Sequence, residues 1–176
     1  ETDISQSEIM LSCLSNENPE IKKVALLASS DIYGQTFVDW FAFQAVELDM
    51  EPVSIVTYKN ANELDACLKQ ITESGAEALV CVPAAVEDVI PVYNYINHWN
   101  LNTDTENPIA LMFSDKAYNE SILKGAEPVD FIFGLAPASH PGSGFSVSYE
   151  ARFGRLPYNG EAEVYDAVLI TTLASL

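Results

Sequence analysis

Two kinds of apolar run alternate along this chain. Short unbroken blocks rich in Val, Ile and Leu predict strands at Lys23–Ala28, Val53–Tyr58, Ala78–Val82, Ile109–Phe113 and Asp130–Gly134. Between them, apolar positions recur every three or four residues. That spacing predicts helices at Gly34–Leu48, Asn62–Glu73, Val86–Trp99, Ala117–Lys124, Phe145–Phe153 and Glu161–Leu176. An opening helix is expected from Ser5 and Glu8 as a capping box, with Ile4, Ile9, Met10, Cys13 and Leu14 as its apolar stripe and Pro19 beyond its end. Ser74-Gly75 and Gly154-Arg155-Leu156-Pro157 are helix stops. Asn100–Asn107 and Pro137–Gly144 read as loops.

Strands apolar on both faces belong in sheets covered by helices on both sides. Strand–helix alternation over five strands predicts an α/β fold: a doubly wound, mainly parallel five-stranded sheet of flavodoxin-like type. The last helix does not fit this scheme. Val164, Ala167, Val168, Ile170, Leu173 and Leu176 make it apolar, yet no sixth strand follows. Either it packs on this sheet, or its partner lies in a larger protein.

At 176 residues the chain suits one domain. Its 26 acidic and 8 basic residues give a net charge of −18, which argues against nucleic acid or an anionic membrane as a partner. No apolar run reaches the roughly 18–20 residues of a membrane span. The start carries no signal peptide, which leaves the compartment open. Cys13, Cys67 and Cys81 show no metal or redox spacing and are expected to be buried structural thiols.

Little in the chain points to catalysis. His98 and His140 lack metal-ligand spacing, and there is no G-x-S-x-G elbow and no phosphate-cradling glycine loop. The run Asn100-x-Asn102-x-Asp104-x-Glu106 lacks the glycine and final glutamate of a calcium loop. No enzyme activity, metal or cofactor is expected. Binding chemistry concentrates instead in turns that follow strands, where open parallel sheets hold ligands. The turn Ser29-Ser30-Asp31-Ile32-Tyr33-Gly34 offers two hydroxyls and an aromatic ring with a polar tip. It has two readings: an FMN phosphate loop of a flavodoxin-like domain, or a recognition turn for a small polar ligand. Ser114 and Asp115, after the fourth strand, reach the same edge, with Asp115 placed to hold an ammonium group or to start a helix. Pro83-Ala84-Ala85, after the third strand, is small and apolar and makes room.

Taken in order, several segments resemble the type 1 periplasmic solute-binding proteins, the branched-chain amino-acid binding group of ABC transporters. They are Gln6; Lys23-Val24-Ala25-Leu26-Leu27 leading to Ser30-Asp31-Ile32-Tyr33-Gly34; 62–74 followed by Gly75-Ala76-Glu77-Ala78-Leu79-Val80; Phe145-x-x-x-Tyr149-x-x-Arg152-Phe153-Gly154-x-x-Pro157; and Tyr165-Asp166-Ala167-Val168. Members have two lobes that close on a ligand. The resemblance implies that residues 1–158 are the second lobe, that 159–176 form the helix after the crossing back, and that the chain is an excised lobe lacking its first. It implies a periplasmic or extracytoplasmic protein, lipid-anchored in some members, working with a membrane permease. It places Tyr33 as a ligand-facing ring and Asp115 as the partner of a ligand ammonium group. Ala84 stands where members often have an aromatic or polar contact, which argues against an ordinary branched-chain amino acid. A sensor ectodomain of the same fold is the remaining alternative.

Overall fold

Lys23–Ser29 (β1) is buried at every residue after its first, and Ala78–Val82 (β3) and Ala110–Phe113 (β4) are buried throughout. Successive side chains of a strand face opposite ways, so these blocks feed two cores. Val24, Leu26, Ala28, Val80, Val82 and Met112 join Met10, Leu11 and Leu14 of Asp3–Glu17 (α1) and Phe37, Phe41 and Ala45 of Ile32–Glu47 (α2). Ala25, Leu27, Leu79, Cys81, Leu111 and Phe113 join Leu64, Leu68 and Ile71 of Leu64–Glu73 (α3) and Val89, Val92 and Ile96 of Val89–Asn102 (α4). With Glu51–Tyr58 (β2) and Ile132–Gly134 (β5), the strands form one parallel sheet in the order β2-β1-β3-β4-β5.

The computed structural model describes residues 2–102, 108–118, 122, 132–136, 143–158 and 160–175. They fall into two compact units, Glu1–Leu135 and Ala136–Leu176. The expected helix 117–124 is described only in part, with a 3-10 turn at Asp115–Ala117. Most of the calcium-like loop, the first residues of the fifth strand, and His140 with most of its loop lie outside the described residues.

The five-stranded α/β sheet agrees with the sequence reading, with local corrections. Thr2, not Ser5, caps α1, its side chain accepting from the Ser5 N–H. The helix therefore buries Gln6, Ser7, Met10, Leu11 and Leu14 and leaves Ile9 42% exposed. Cys13 is only half-buried, whereas Cys67 and Cys81 are buried. Helix α2 begins at Ile32 rather than Gly34, because Asp31 caps it. Strand β2 is an edge, and only Ser54 and Tyr58 of its residues are buried. Pro52, which has no N–H for the ladder, sits beside a register shift opposite Val24/Ala25, as an edge tolerates.

The second unit contains Phe145–Phe153 (α5) and Glu161–Ala174 (α6). Glycines in the left-handed region, Gly154 (φ 70°) and Gly160 (φ 84°), end the first helix and begin the second. Arg155 grips Glu161 with two nitrogens, at 2.7 and 3.0 Å, while the Tyr149 hydroxyl and the Tyr158 N–H donate to the same carboxylate at 2.8 and 2.6 Å. The Arg155 guanidinium lies 4.1 Å from the Tyr158 ring and 5.0 Å from the Tyr149 ring. On α6, Val164, Val168, Ile170 and Leu173 are each more than 60% exposed.

Candidate ligand site at the carboxyl edge of the sheet

Pairing of Ala28 with Val82 and of Cys81 with Phe113 brings the exits of β1, β3 and β4 level at one edge of the sheet. Strand order runs outward in opposite directions from β1 and β3, which is where open α/β sheets form a crevice.

The turn after β1 is built by Asp31. Its Oδ1 accepts from the Gly34 N–H at 2.8 Å and from the Ser29 hydroxyl at 2.7 Å. The Gly34 N–H, then the Ser29 hydroxyl and the nearby Lys116 ammonium, hold the Asp31 carboxyl below its usual range, against a smaller push from burial. Gly34 is obligatory for packing. A Cβ on it would stand 1.9 Å from the Ser29 carbonyl oxygen. This close approach of helix to strand starts α2 at once and points Tyr33 along the edge. The carboxylate at the N-cap also opposes the FMN reading, because a phosphate there would meet Asp31 rather than free N–H groups.

Tyr33 is half-buried and packs edge-on against Phe37, with ring centroids 5.1 Å apart. Its hydroxyl donates to Asp115 Oδ1 at 2.6 Å, across 82 residues of chain, and Gln6 Oε1 of α1 lies 3.3 Å away. Burial, and the Asp115 carboxylate that accepts its proton, push the Tyr33 phenol well above its ordinary range. Strand β3 lies between β1 and β4, and its exit, Pro83-Ala84-Ala85, has no long side chain to obstruct this bond. Lys116 reaches back over the pair. Its Nζ is 4.1 Å from the Tyr33 ring centroid and 3.5 Å from Asp31 Oδ2.

The sequence-predicted residues thus separate. Tyr33 and Asp115 meet, and among the described residues Asp115 Oδ2 takes no hydrogen bond. Ser114 adjoins them. Its side chain is buried beside the Tyr33 hydroxyl, where its own hydroxyl opposes the upward push on that phenol. Ser29 is buried and its hydroxyl is spent on Asp31. Ser30 is exposed, its N–H bonded to the Tyr58 carbonyl oxygen at 2.9 Å. Ala84 is exposed, but its N–H already donates to the Tyr58 hydroxyl at 2.8 Å. Tyr58 in turn donates to the buried Asp88 carboxylate at 2.8 Å. Burial chiefly, with the Asp88 bond, raises the Tyr58 phenol, and the Ala84 N–H opposes the shift. Sequence reasoning missed Lys116, the Gln6 contact and the Tyr58–Asp88 brace. A lysine directly after Asp115 was the available signal for the first.

Chemically, this edge offers carboxylates, an aromatic ring, a buried hydroxyl and an ammonium. No group of three or more His, Cys, Asp or Glu able to hold a metal occurs among the described residues. No helix of the described residues is long and apolar enough to cross a membrane. His98 is paired with Asn102 on α4, 3.1 Å from Nδ1.

No protein-family model matches the chain, and no curated protein matches it. Solved structures do match. An ABC transporter substrate-binding protein from Desulfitobacterium hafniense is 14% identical with a TM-score of 0.67, over 96% of this chain and 48% of that one. A leucine-binding protein from Thermotoga maritima is 18% identical with a TM-score of 0.65, over 88% of this chain and 44% of that one. A solute-binding protein of an ABC transporter from Rhodopseudomonas palustris, in complex with 3,4-dihydroxybenzoic acid, is 20% identical with a TM-score of 0.60, over 89% and 43%. The chain spans less than half the length of each of these structures. It has the α/β fold found in the type 1 periplasmic solute-binding proteins of ABC transporters.

Proposed function

We propose that this chain is a ligand-binding lobe, the second of two, of an extracytoplasmic solute-binding protein that delivers an amino acid or similar small polar solute to an ABC-type membrane permease. The observation that carries this reading is the meeting of Tyr33 and Asp115 at 2.6 Å, on turns that follow different strands, at the ligand edge of a fold found in solute-binding proteins. Asp115 Oδ2 and the face of the Tyr33 ring are together the acceptors for a ligand ammonium group. Ala84 puts only a methyl group at this edge, which favours a solute bulkier than a branched-chain amino acid. Leucine and dihydroxybenzoate, named for two of the solved neighbours, mark the range of solutes to screen.

A binding role is supported by the solved neighbours, which are solute-binding proteins. The exposed apolar residues of α6 are the surface on which the first lobe packs, and residues 159–176 follow the crossing back to it. Hinge closure between lobes supplies the second half of the contacts. Isothermal calorimetry against amino acids and aromatic acids tests this, comparing the chain alone with the complete two-lobe protein. The two-lobe protein binds a solute tightly and this chain binds the same solute weakly. Equal thermal stabilisation of both forms by that solute overturns the two-lobe mechanism.

A further inference from the structure

We infer that the ammonium group of Lys116 occupies the place on Tyr33 where a cationic group of the ligand binds, so that this lysine competes with the ligand and sets the selectivity of the site. The inference rests on the solute-binding reading above and adds an internal occupant to it.

Lys116 Nζ sits 4.1 Å from the centre of the Tyr33 ring and 3.5 Å from Asp31 Oδ2. A ring face with a carboxylate beside it is the setting an ammonium group takes when it leaves water. The hydroxyl end of the same ring is held by Asp115, and Asp3 is close enough to act on it as well. Among the described residues, Asp31 beside the lysine and Asp115 at the hydroxyl end, with Asp3 more remote, outnumber the single ammonium of Lys116 near this ring.

The hold on the lysine is loose. Its side chain is 34% exposed, its ion pair is long, and the partner Asp31 side chain is 48% exposed. A ligand can displace it, but two ammonium groups cannot share one ring face without strong repulsion. An anion anchor is the opposite role for the same residue, and the two roles predict opposite effects of removing the charge.

The test is an NMR titration of the chain with three probes of one shape: leucinamide (cationic), leucine (zwitterionic) and 4-methylpentanoate (anionic). Lys116→Met, which keeps an apolar stem and deletes the charge, tightens leucinamide binding by about tenfold and does not tighten 4-methylpentanoate. Lys116→Arg, which keeps the charge, stays within about twofold of the native chain for leucinamide. Lys116→Met weakening or leaving unchanged the binding of leucinamide overturns the inference, and if Asp115→Asn still lowers that binding the solute site itself stands. Leucinamide binding that Asp115→Asn leaves unaltered overturns both, whereas no binding of any probe to the native chain or to Lys116→Met overturns the inference alone, the solute reading then being decided by the wider screen of amino acids and aromatic acids.

Discussion

Replacing Gly34 with Ala separates what helix propensity says from what the packing says. Gly34 lies in α2 with a negative φ, so propensity alone favours Ala there by about 0.5–1 kcal/mol. The structure forbids it. The new Cβ would stand 1.9 Å from the Ser29 carbonyl oxygen and 2.7 Å from Ser29 Oγ. An ordinary contact needs roughly 3.3 Å, so helix and strand must part by more than an ångström. Overpacking of this kind costs about 1–3 kcal/mol. Parting them also stretches the Asp31–Gly34 bond, and losing that N-cap costs about 1 kcal/mol more. Net of propensity, Gly34→Ala destabilises by about 2 kcal/mol, which for a chain of this size lowers Tm by about 4–8 °C. Urea unfolding followed by tryptophan fluorescence measures it, since Trp40 on α2 and Trp99 on α4 both belong to the Glu1–Leu135 unit. The same shift moves Tyr33 away from Asp115 and weakens solute binding. A variant as stable as the native chain, or more so, refutes the reasoning.

Tyr58→Phe removes the hydroxyl that joins the Ala84 N–H to the buried Asp88 carboxylate and, among the described residues, leaves that carboxylate with the 3.3 Å contact from the Ala85 N–H. It costs about 2–3 kcal/mol in urea unfolding, and Asp88→Asn in the same background recovers part of the loss. Glu161, held by Arg155 first and then by Tyr149 and the Tyr158 N–H, titrates at about 2 rather than 4.5. A depressed folded-state pKa stabilises above the unfolded value, so the clasp around Glu161 is complete above pH 4.5 and is lost as pH falls toward 2. NMR titration of the Glu161 side chain reads this directly, and a midpoint near 4.5 would contradict the clasp. The Tyr33 and Tyr58 phenols, both raised mainly by burial, stay protonated at pH 11 in the folded chain, and absorbance near 295 nm with the two Phe variants assigns them.

The fold was legible because the central strands of a parallel sheet are buried on both faces, and Val24–Ala28 and Ala78–Val82 read as unbroken apolar blocks. The same rule overstated β2, since an edge strand carries apolar residues that remain half-exposed. For α1 the stripe was misread by a fraction of a turn. Gln6 and Ser7 are polar yet buried, Gln6 beside the Tyr33 hydroxyl, and no hydropathy pattern marks them as inward. In the candidate site, strand-end topology alone puts Tyr33 and Asp115 on one edge. The bond between them, and the reach of Lys116 back to Asp31, depend on side-chain lengths across an intervening strand and leave no local trace in sequence. Ser29 looked available for a ligand because a hydroxyl in a turn carries no sign of being already committed to a cap.

The most direct test of the account is an amide NMR screen of this chain against amino acids and aromatic acids, repeated with Asp115→Asn. The account predicts weak binding of at least one small polar solute, with shifts clustered at 29–34, 84–85 and 114–116 and abolished by Asp115→Asn. Binding that shifts other regions, or that survives Asp115→Asn undiminished, would contradict it.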